Sequence, residues 1–229
     1  LSDEQKEAEK PDQQTQDVLD YLNAENDYRK HVMKPTEKLQ KTIYDEIIGR
    51  IKQDDSSVPV TVNGYTYYTR FEKGQDYPYY CREKAEDNAN EEVILDVPTM
   101  AEGYAYYAIG GRSVSENNKI LAYAVDTVSR REYTLYFKNL ETGEILSDKI
   151  ENTTGGTTWA NDNQTVFYVK KDPQTLRAYQ IFKHRLGTDT SDDELVYEET
   201  DETFSCWISK TKSRQYLMIG ASQTLSTEY

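Results

Sequence analysis

Nucleophilic catalysis needs a Ser, Cys or Thr beside a base, and that base is usually histidine. The chain of 229 residues holds two histidines. His31 falls in a helical pattern. His184 falls mid-strand, where it matches Asn139 of a repeated unit, so an ordinary strand position is expected for it. No Gly-x-Ser-x-Gly elbow occurs in the sequence. Gly110-Gly111-Arg112 and Gly155-Gly156 read as turn glycines, without the spacing or the lysine of a phosphate-binding loop. Cys81 and Cys206 sit in aromatic runs and read as buried strand thiols; two cysteines make neither a disulfide framework nor a four-ligand zinc site. Asp192-Asp193-Glu194 and Glu198-Glu199 lack a calcium-loop pattern and read as solvated charge. Neither a cofactor nor a metal is expected. Asn152-Thr-Thr and Asn163-Gln-Thr fit the glycosylation pattern, a weak signal.

One polar cluster stands apart, Asp126-Thr-Val-Ser-Arg-Arg-Glu132. Its neighbouring guanidiniums, Arg130 and Arg131, suit a carboxylate-bearing surface through forked hydrogen bonds. Taken alone, a solvated turn is the better reading of this cluster.

Any such residues must be positioned by a mainly β scaffold. The composition is 36% hydrophobic and 30% charged, with 20 Tyr against 5 Phe and 2 Trp. Tyrosine in that excess fits half-buried sheet, where the ring packs and the hydroxyl stays wet. The net charge of -14 repels phosphate backbones, so nucleic-acid binding is not expected. No apolar run reaches the length of a membrane span, and no membrane partner is expected. The chain opens with Leu1 and has no basic-then-apolar leader, so the expectation is a piece of a longer polypeptide. The expected compartment is the cytoplasm, with the periplasm as the alternative.

Residues 1 to about 14 are polar and read as a frayed start. From Asp17, taken as an N-cap, Val18, Tyr21, Leu22, Tyr28 and Val32 follow helical steps until Pro35. A second helix from Thr36 carries Leu39, Ile43, Ile47 and Ile51 on one stripe. Core packing is expected of both stripes. The helical extension is assigned to 1–55 and the strand region to 56–229.

After Val58 the period changes to two. Val58 to Val62, the turn Asn63-Gly64 and Tyr65 to Phe71 form a hairpin signature, since Asn-Gly supplies the positive φ of a type I′ turn. Further strands are read at 77–83, 93–96, 104–109, 120–125 and 133–138. The strand region repeats: 133–142 aligns with 179–188, and 120–123 with 166–169, both at an offset of 46 residues. Trp159 finds an echo at Trp207. A period of about 40–50 residues holding four short strands is that of a propeller blade. Blades are read at about 58–97, 104–150 and 157–199, with a fourth begun at 204–229 and holding two strands. Closed propellers have about 4–8 blades, so an array this short leaves blade edges open, and self-association through those edges is expected.

Several segments taken together resemble the oligopeptidase B (protease II) branch of the prolyl oligopeptidase family of serine peptidases. They are Val18 to Tyr28, Glu46 to Ile51, Asn63 to Tyr68, Ser129 to Tyr133, Asn139 to Gly143, Trp159 to Asp162 and Tyr197 to Glu202. The resemblance implies a helical extension and about three blades, plus the start of a fourth, of a seven-bladed ring. It also implies a catalytic α/β-hydrolase domain of the same polypeptide. That domain would carry the Ser-Asp-His triad and cleave short basic peptides after Lys or Arg, while the propeller gates access to it. No catalytic residue of that family falls within these residues, so the chain by itself is expected to be inactive. Arg130 and Arg131 are then candidates for a substrate or interdomain contact. The alternative is a free-standing propeller-type binding module.

Overall fold

The computed structural model describes residues 11–86 and 90–229. They fall into two compact units, one ending at Gln53 and one spanning Asp54–Tyr229.

The first unit holds α1 (Gln13–Met33), a 3-10 turn (Lys34–Thr36) and α2 (Glu37–Arg50). The cap of α1 is Asp12, whose carboxylate accepts from the Thr15 amide at 2.7 Å. Asp17, the expected cap, lies inside the helix and accepts instead from the side-chain amide of Gln13. Of the expected frayed start, residues 1–10 lie outside the described residues, while Gln13 and Gln14 are helical. Pro35 sits in the 3-10 turn, where its missing N–H costs nothing, and α1 ends before it. The expected core packing is not met. Neither helix buries a residue, and Leu39, Ile43, Ile47 and Ile51 are each about half exposed. Two helices joined end to end give a stripe no facing layer within their own unit.

The second unit is an array of twisted antiparallel sheets. Blade one comprises β1 (Asp55–Ser56), β2 (Val60–Val62), β3 (Tyr65–Phe71), β4 (Tyr79–Lys84) and β5 (Glu92–Asp96). Both β1 and β2 pair with β3, and Pro59, which has no amide to donate, interrupts them. Asn63 and Gly64 take φ of 52° and 79°, as the β2–β3 hairpin requires. A short helix, α3 (Val97–Met100), leads to blade two: β6 (Ala108–Val114), β7 (Ile120–Asp126), β8 (Tyr133–Asn139) and the first half of β9 (Ile145–Trp159). Blade three uses the second half of β9, then β10 (Thr165–Lys171), β11 (Ala178–Arg185) and β12 (Glu194–Glu198). The last sheet holds three strands, one more than expected: β13 (Ser205–Lys210), β14 (Leu217–Ser222) and β15 (Thr227–Glu228).

Three strand-level details depart from the sequence reading. The strand expected at 104–109 is β6, at 108–114; Gly103, at φ 84°, ends a turn just before, and Tyr104 and Tyr107 pack on each other there. Gly110, Gly111, Gly155 and Gly156 lie within strands rather than turns. The gap read between blades two and three is spanned by β9, which bends at Asn152 (φ 61°) and Gly155 (φ 89°). Thr153, between the two bends, pairs with Tyr133 of one blade and Lys170 of the next.

The blades stack face on face. Along β7, Leu121, Tyr123 and Val125 pack toward blade one with Ile94, Leu95 and Tyr107. The intervening Ala122 and Ala124 pack toward blade three with Leu135, Phe137, Trp159 and Tyr168. A strand covered on both faces must be apolar at every position, and Ile120 to Val125 reads so. The third interface is smaller, built on Val169, Ile181, Cys206 and Ala221. The expected tyrosine placement holds in β3, where Tyr65, Tyr67 and Tyr68 are half-buried. The first strands β6, β9 and β13 stand side by side: the Trp159 indole donates to the Ser113 carbonyl at 3.0 Å, and the Thr158 hydroxyl to the Ile208 carbonyl at 3.2 Å.

The glycines let these strands approach. A Cβ on Gly111 would lie 2.3 Å from the carbonyl oxygen of Gly155, a backbone atom that cannot turn away. Gly111→Ala is therefore expected to destabilise the strand unit by about 2–3 kcal/mol through forced separation of β6 and β9. Gly143→Ala, at φ 78° with open space around it, is expected to cost only about 1 kcal/mol. Urea unfolding followed by tryptophan fluorescence compares the two, and equal losses would contradict the close approach.

Candidate functional site

Consecutive loops of an antiparallel sheet emerge at alternate ends, so the array has two rims. The first rim carries the turns at Asn63-Gly64, 115–119, 160–164 and 211–216. Asn63, Asn118, Asn163 and Arg214 all take positive φ there, between 52° and 62°. Their neighbours lock blade to blade through side-chain amides. Asn63 Nδ2 donates to the Glu116 carbonyl at 2.6 Å, and Asn118 Nδ2 to the Asn63 carbonyl at 3.0 Å. Asn163 Oδ1 accepts from the Asn117 amide at 2.7 Å, across a separation of 46 residues that equals the repeat. Asn161 Nδ2 donates to the Arg214 carbonyl at 3.0 Å. Arg82, nearly fully buried, pairs with Glu92 at 2.7 Å and reaches the Asn118 carbonyl at 2.8 Å. Beside these turns a cleft of about 410 Å³ opens, lined among others by Val60, Tyr67, Arg112, Glu116 and Arg214.

The second rim carries the Asp126–Glu132 loop. The buried Asp126 carboxylate accepts from the amides of Val128 (2.8 Å), Ser129 (3.0 Å) and Arg131 (2.7 Å). That pinning holds Ser129 and Arg131 at φ of 66° and 58°. Lys171 of blade three donates its ammonium to the Arg131 carbonyl; burial and then the Arg131 charge lower its pKa. Arg130 and Arg131 project into solvent. Among the described residues neither guanidinium makes an ion pair or a hydrogen bond. The structure thus places both predicted residues together, on a rigid loop and unengaged. On the same rim Arg177 clamps the link to the last blade, bonding the carbonyls of Glu199, Asp201 and Phe204 at 2.9–3.3 Å.

A third polar cluster escaped the sequence reading. His184 is fully buried, with Nδ1 2.7 Å from Asp193 Oδ1 and Nε2 3.0 Å from Asp148 Oδ1. The Tyr168 hydroxyl donates to the other Asp193 oxygen at 2.7 Å, and the Gly187 amide to Asp148. His184 stands opposite Val166, as Asn139 stands opposite Ile120, so the ladders equate the two, one residue off the 46-residue offset that sets His184 against Lys138. Its setting is not ordinary, because two buried carboxylates converge on it. Asp193 is likewise not solvated charge; its side chain is 2% exposed. Among the described residues no serine or cysteine hydroxyl or thiol bonds the imidazole, so the arrangement is a strut across β9, β11 and the start of β12, not a nucleophile–base pair. Cys81 and Cys206 are buried strand thiols, as expected, and burial pushes each up to about 11. Both glycosylation-pattern asparagines have engaged amides: Asn152 donates to the Lys171 carbonyl, and Asn163 to that of Asn161.

Radial four-stranded sheets with adjacent first strands define a partial β-propeller. A family model described as the prolyl oligopeptidase N-terminal β-propeller domain matches residues 11–229, and the chain belongs to the prolyl oligopeptidase family. It is 43% identical over 230 residues to dipeptidyl aminopeptidase BI of Pseudoxanthomonas mexicana, covering 94% of this chain and 32% of that protein. It is 33% identical to Protease 2 of Moraxella lacunata, covering 95% of this chain and 32% of that one. Among solved structures, oligopeptidase B of Leishmania major superposes with a TM-score of 0.82 at 34% identity, covering 90% of this chain and 29% of the other. Oligopeptidase B of Trypanosoma brucei, in a closed form with covalently bound antipain, gives 0.81 at 29%, with the same coverage. The chain thus spans about a third of the length of the relatives it matches.

Asp126 is what makes the arginine loop rigid. Asp126→Ala is expected to cost about 2 kcal/mol, three amides losing their acceptor at once, and Asp126→Asn less. Hydrogen exchange is expected to accelerate at Val128, Ser129 and Arg131. Unchanged exchange there would mean that the carboxylate does not hold the loop.

Proposed function

We propose that the chain is the gating propeller part of a serine endopeptidase of the oligopeptidase B type, cleaving short peptides after Lys or Arg. An α/β-hydrolase domain of the same polypeptide would supply the nucleophile, base and acid. The observation that carries this reading is the likeness to the oligopeptidase B of L. major across 90% of the chain. The net charge of -14 supports it, since it favours approach of cationic peptides at long range. Within this reading, Arg130 and Arg131 pair with carboxylates of the catalytic domain when the two domains close. On its own the chain self-associates through its uncovered ends, where Val58, Val60, Tyr216 and Leu225 are exposed. Its compartment is the cytoplasm.

Two other readings stand beside this one. The 43% identity to a dipeptidyl aminopeptidase favours removal of dipeptides from a free N-terminus. A propeller-type binding module without any enzyme is the non-catalytic alternative.

Activity of the complete protein separates the three. An N-blocked Arg-Arg chromogenic substrate is expected to be cut and to be protected by a serine-directed inhibitor. Cleavage only of dipeptide substrates with a free amine would replace the endopeptidase by the aminopeptidase reading. Cleavage of neither would leave the binding module. The chain of 229 residues alone is expected to hydrolyse neither substrate, because among the described residues the buried His184 is bonded to carboxylates and not to a nucleophile.

The arginine contact has its own test in the complete enzyme. Arg130→Ala with Arg131→Ala is expected to lower kcat/KM about tenfold, as loss of charge-assisted bonds made on closure would. Unchanged activity and unchanged domain closure would remove that contact.

A further inference from the structure

Glu116 lies in the β6–β7 turn of blade two, yet both partners of its carboxylate come from the fourth sheet. Lys210 Nζ is 2.6 Å from Oε1, and Arg214 Nη1 is 2.9 Å from Oε2. Blade three stands between, its first strand bonded to β6 on one side and to β13 on the other. Asn161 of that intervening blade completes the group: its Oδ1 accepts from Lys210 Nζ at 2.9 Å while its Nδ2 holds the Arg214 carbonyl. The other rim contacts join neighbouring blades; this one skips a blade.

Two blades that flank a third can meet only on its axial side when the groups that meet sit at the ends of the first strands. In a propeller those strands surround the axis. We propose that Glu116, Lys210 and Arg214 form a latch across the axial mouth of the first rim, and that this latch sets the width of peptide able to pass there. The inference rests on the peptidase reading given under the proposed function and names a size filter within it. The group is suited to the task. Lys210 and Glu116 side chains are 14% and 24% exposed, so solvent screens their attraction less than at an open surface. One carboxylate shared by two cations, with an asparagine fixing both, has the geometry of a network rather than of an isolated surface pair. The latch also leaves one positive charge in excess at that mouth, in a chain of net charge -14, so a cationic peptide meets repulsion there in addition to the narrowing.

The test uses the complete enzyme and its near-isosteric variant Glu116→Gln. Lys210→Met with Arg214→Gln breaks the latch from the other side, so a folding defect in one variant leaves the other to decide. Spin labels at Lys119→Cys and Lys212→Cys report the span directly, Cys81 and Cys206 being buried and any exposed cysteine elsewhere in the complete enzyme being replaced by serine. The substrates are a linear Arg-containing peptide and the same peptide closed into a loop by a disulfide. With the latch broken, the label distance is expected to broaden. The kcat/KM for the closed peptide relative to the linear one is expected to rise about threefold or more. A distance distribution identical to wild type, or a ratio that stays constant while wild type cleaves the linear peptide, overturns the latch and leaves the peptidase reading intact. A wild-type enzyme that cleaves neither peptide overturns the peptidase reading, and the size filter with it.

Discussion

Among the described residues, adjacent blades of this array share no hydrogen-bonded ladder except where β9 passes from one to the next, so face-to-face burial must hold them together. That constraint fixes the sequence more tightly than the strands themselves do. A strand with water on one face alternates apolar and polar residues, but β7 and β10 are covered on both and keep apolar side chains on each. Size is apportioned too. Tyr123 reaches toward one blade, whereas Ala122 and Ala124 leave room for Phe137 of their own blade and for Trp159 of the other. Where two first strands come closest, side chains vanish altogether, and Gly111 faces Gly155.

Burial alone does not set the angle between blades, since apolar contact is non-directional. Direction comes from the rims. On the first, asparagine amides bridge one turn to the next, and Asn63, Asn118 and Asn163 use their tolerance of positive φ to form the turn and their side-chain amides to reach the neighbour. On the second, cations reach carbonyls: Lys171 to Arg131, and Arg177 to the segment leading into the last blade. Between blades two and three, Asp148, His184, Asp193 and Tyr168 tie β9, β10, β11 and the start of β12 through one buried group. Among the described residues no buried side-chain polar atom lacks a partner, so these bonds restrain geometry without leaving a desolvated group unpaid.

The fold class was legible because its signals are local and periodic. Asn63-Gly64 carries its own turn type, and the 46-residue offset survives in strand residues that face equivalent neighbours. The register keeps the equivalence with a slip of one residue: Val166 lies 46 residues after Ile120, and its partner His184 lies 45 after Asn139. What was not legible depends on partners distant in the chain. Gly110-Gly111 looks like a turn because the close approach that demands glycine comes from Gly155, invisible until β6 and β9 are side by side. Asp193 looks solvated because the histidine that buries it lies nine residues back, and the second carboxylate 36 residues before that histidine. The helical stripes misled for the opposite reason. Their spacing is regular, but periodicity says only which face is apolar, not that anything covers it. Asn118 and Asn163 did offer a missed signal, as asparagines just after a strand at nearly the repeat spacing.

The two rims end up chemically unlike, and the difference bears on which of them can meet a partner. On the first rim, amides are bonded to carbonyls and to one another, and Glu116, Lys210 and Arg214 bridge across it. A cation bonded to a carbonyl keeps its charge. The second rim therefore gathers Lys171, Arg177, Arg130 and Arg131 in a chain that is otherwise strongly acidic, and the last two have no partner among the described residues. Uncompensated charge on a pinned loop costs little in water and gains most when a carboxylate surface displaces that water. The Asp126–Glu132 side thus presents cations without a partner among the described residues, while the opposite rim presents turns already bonded to one another.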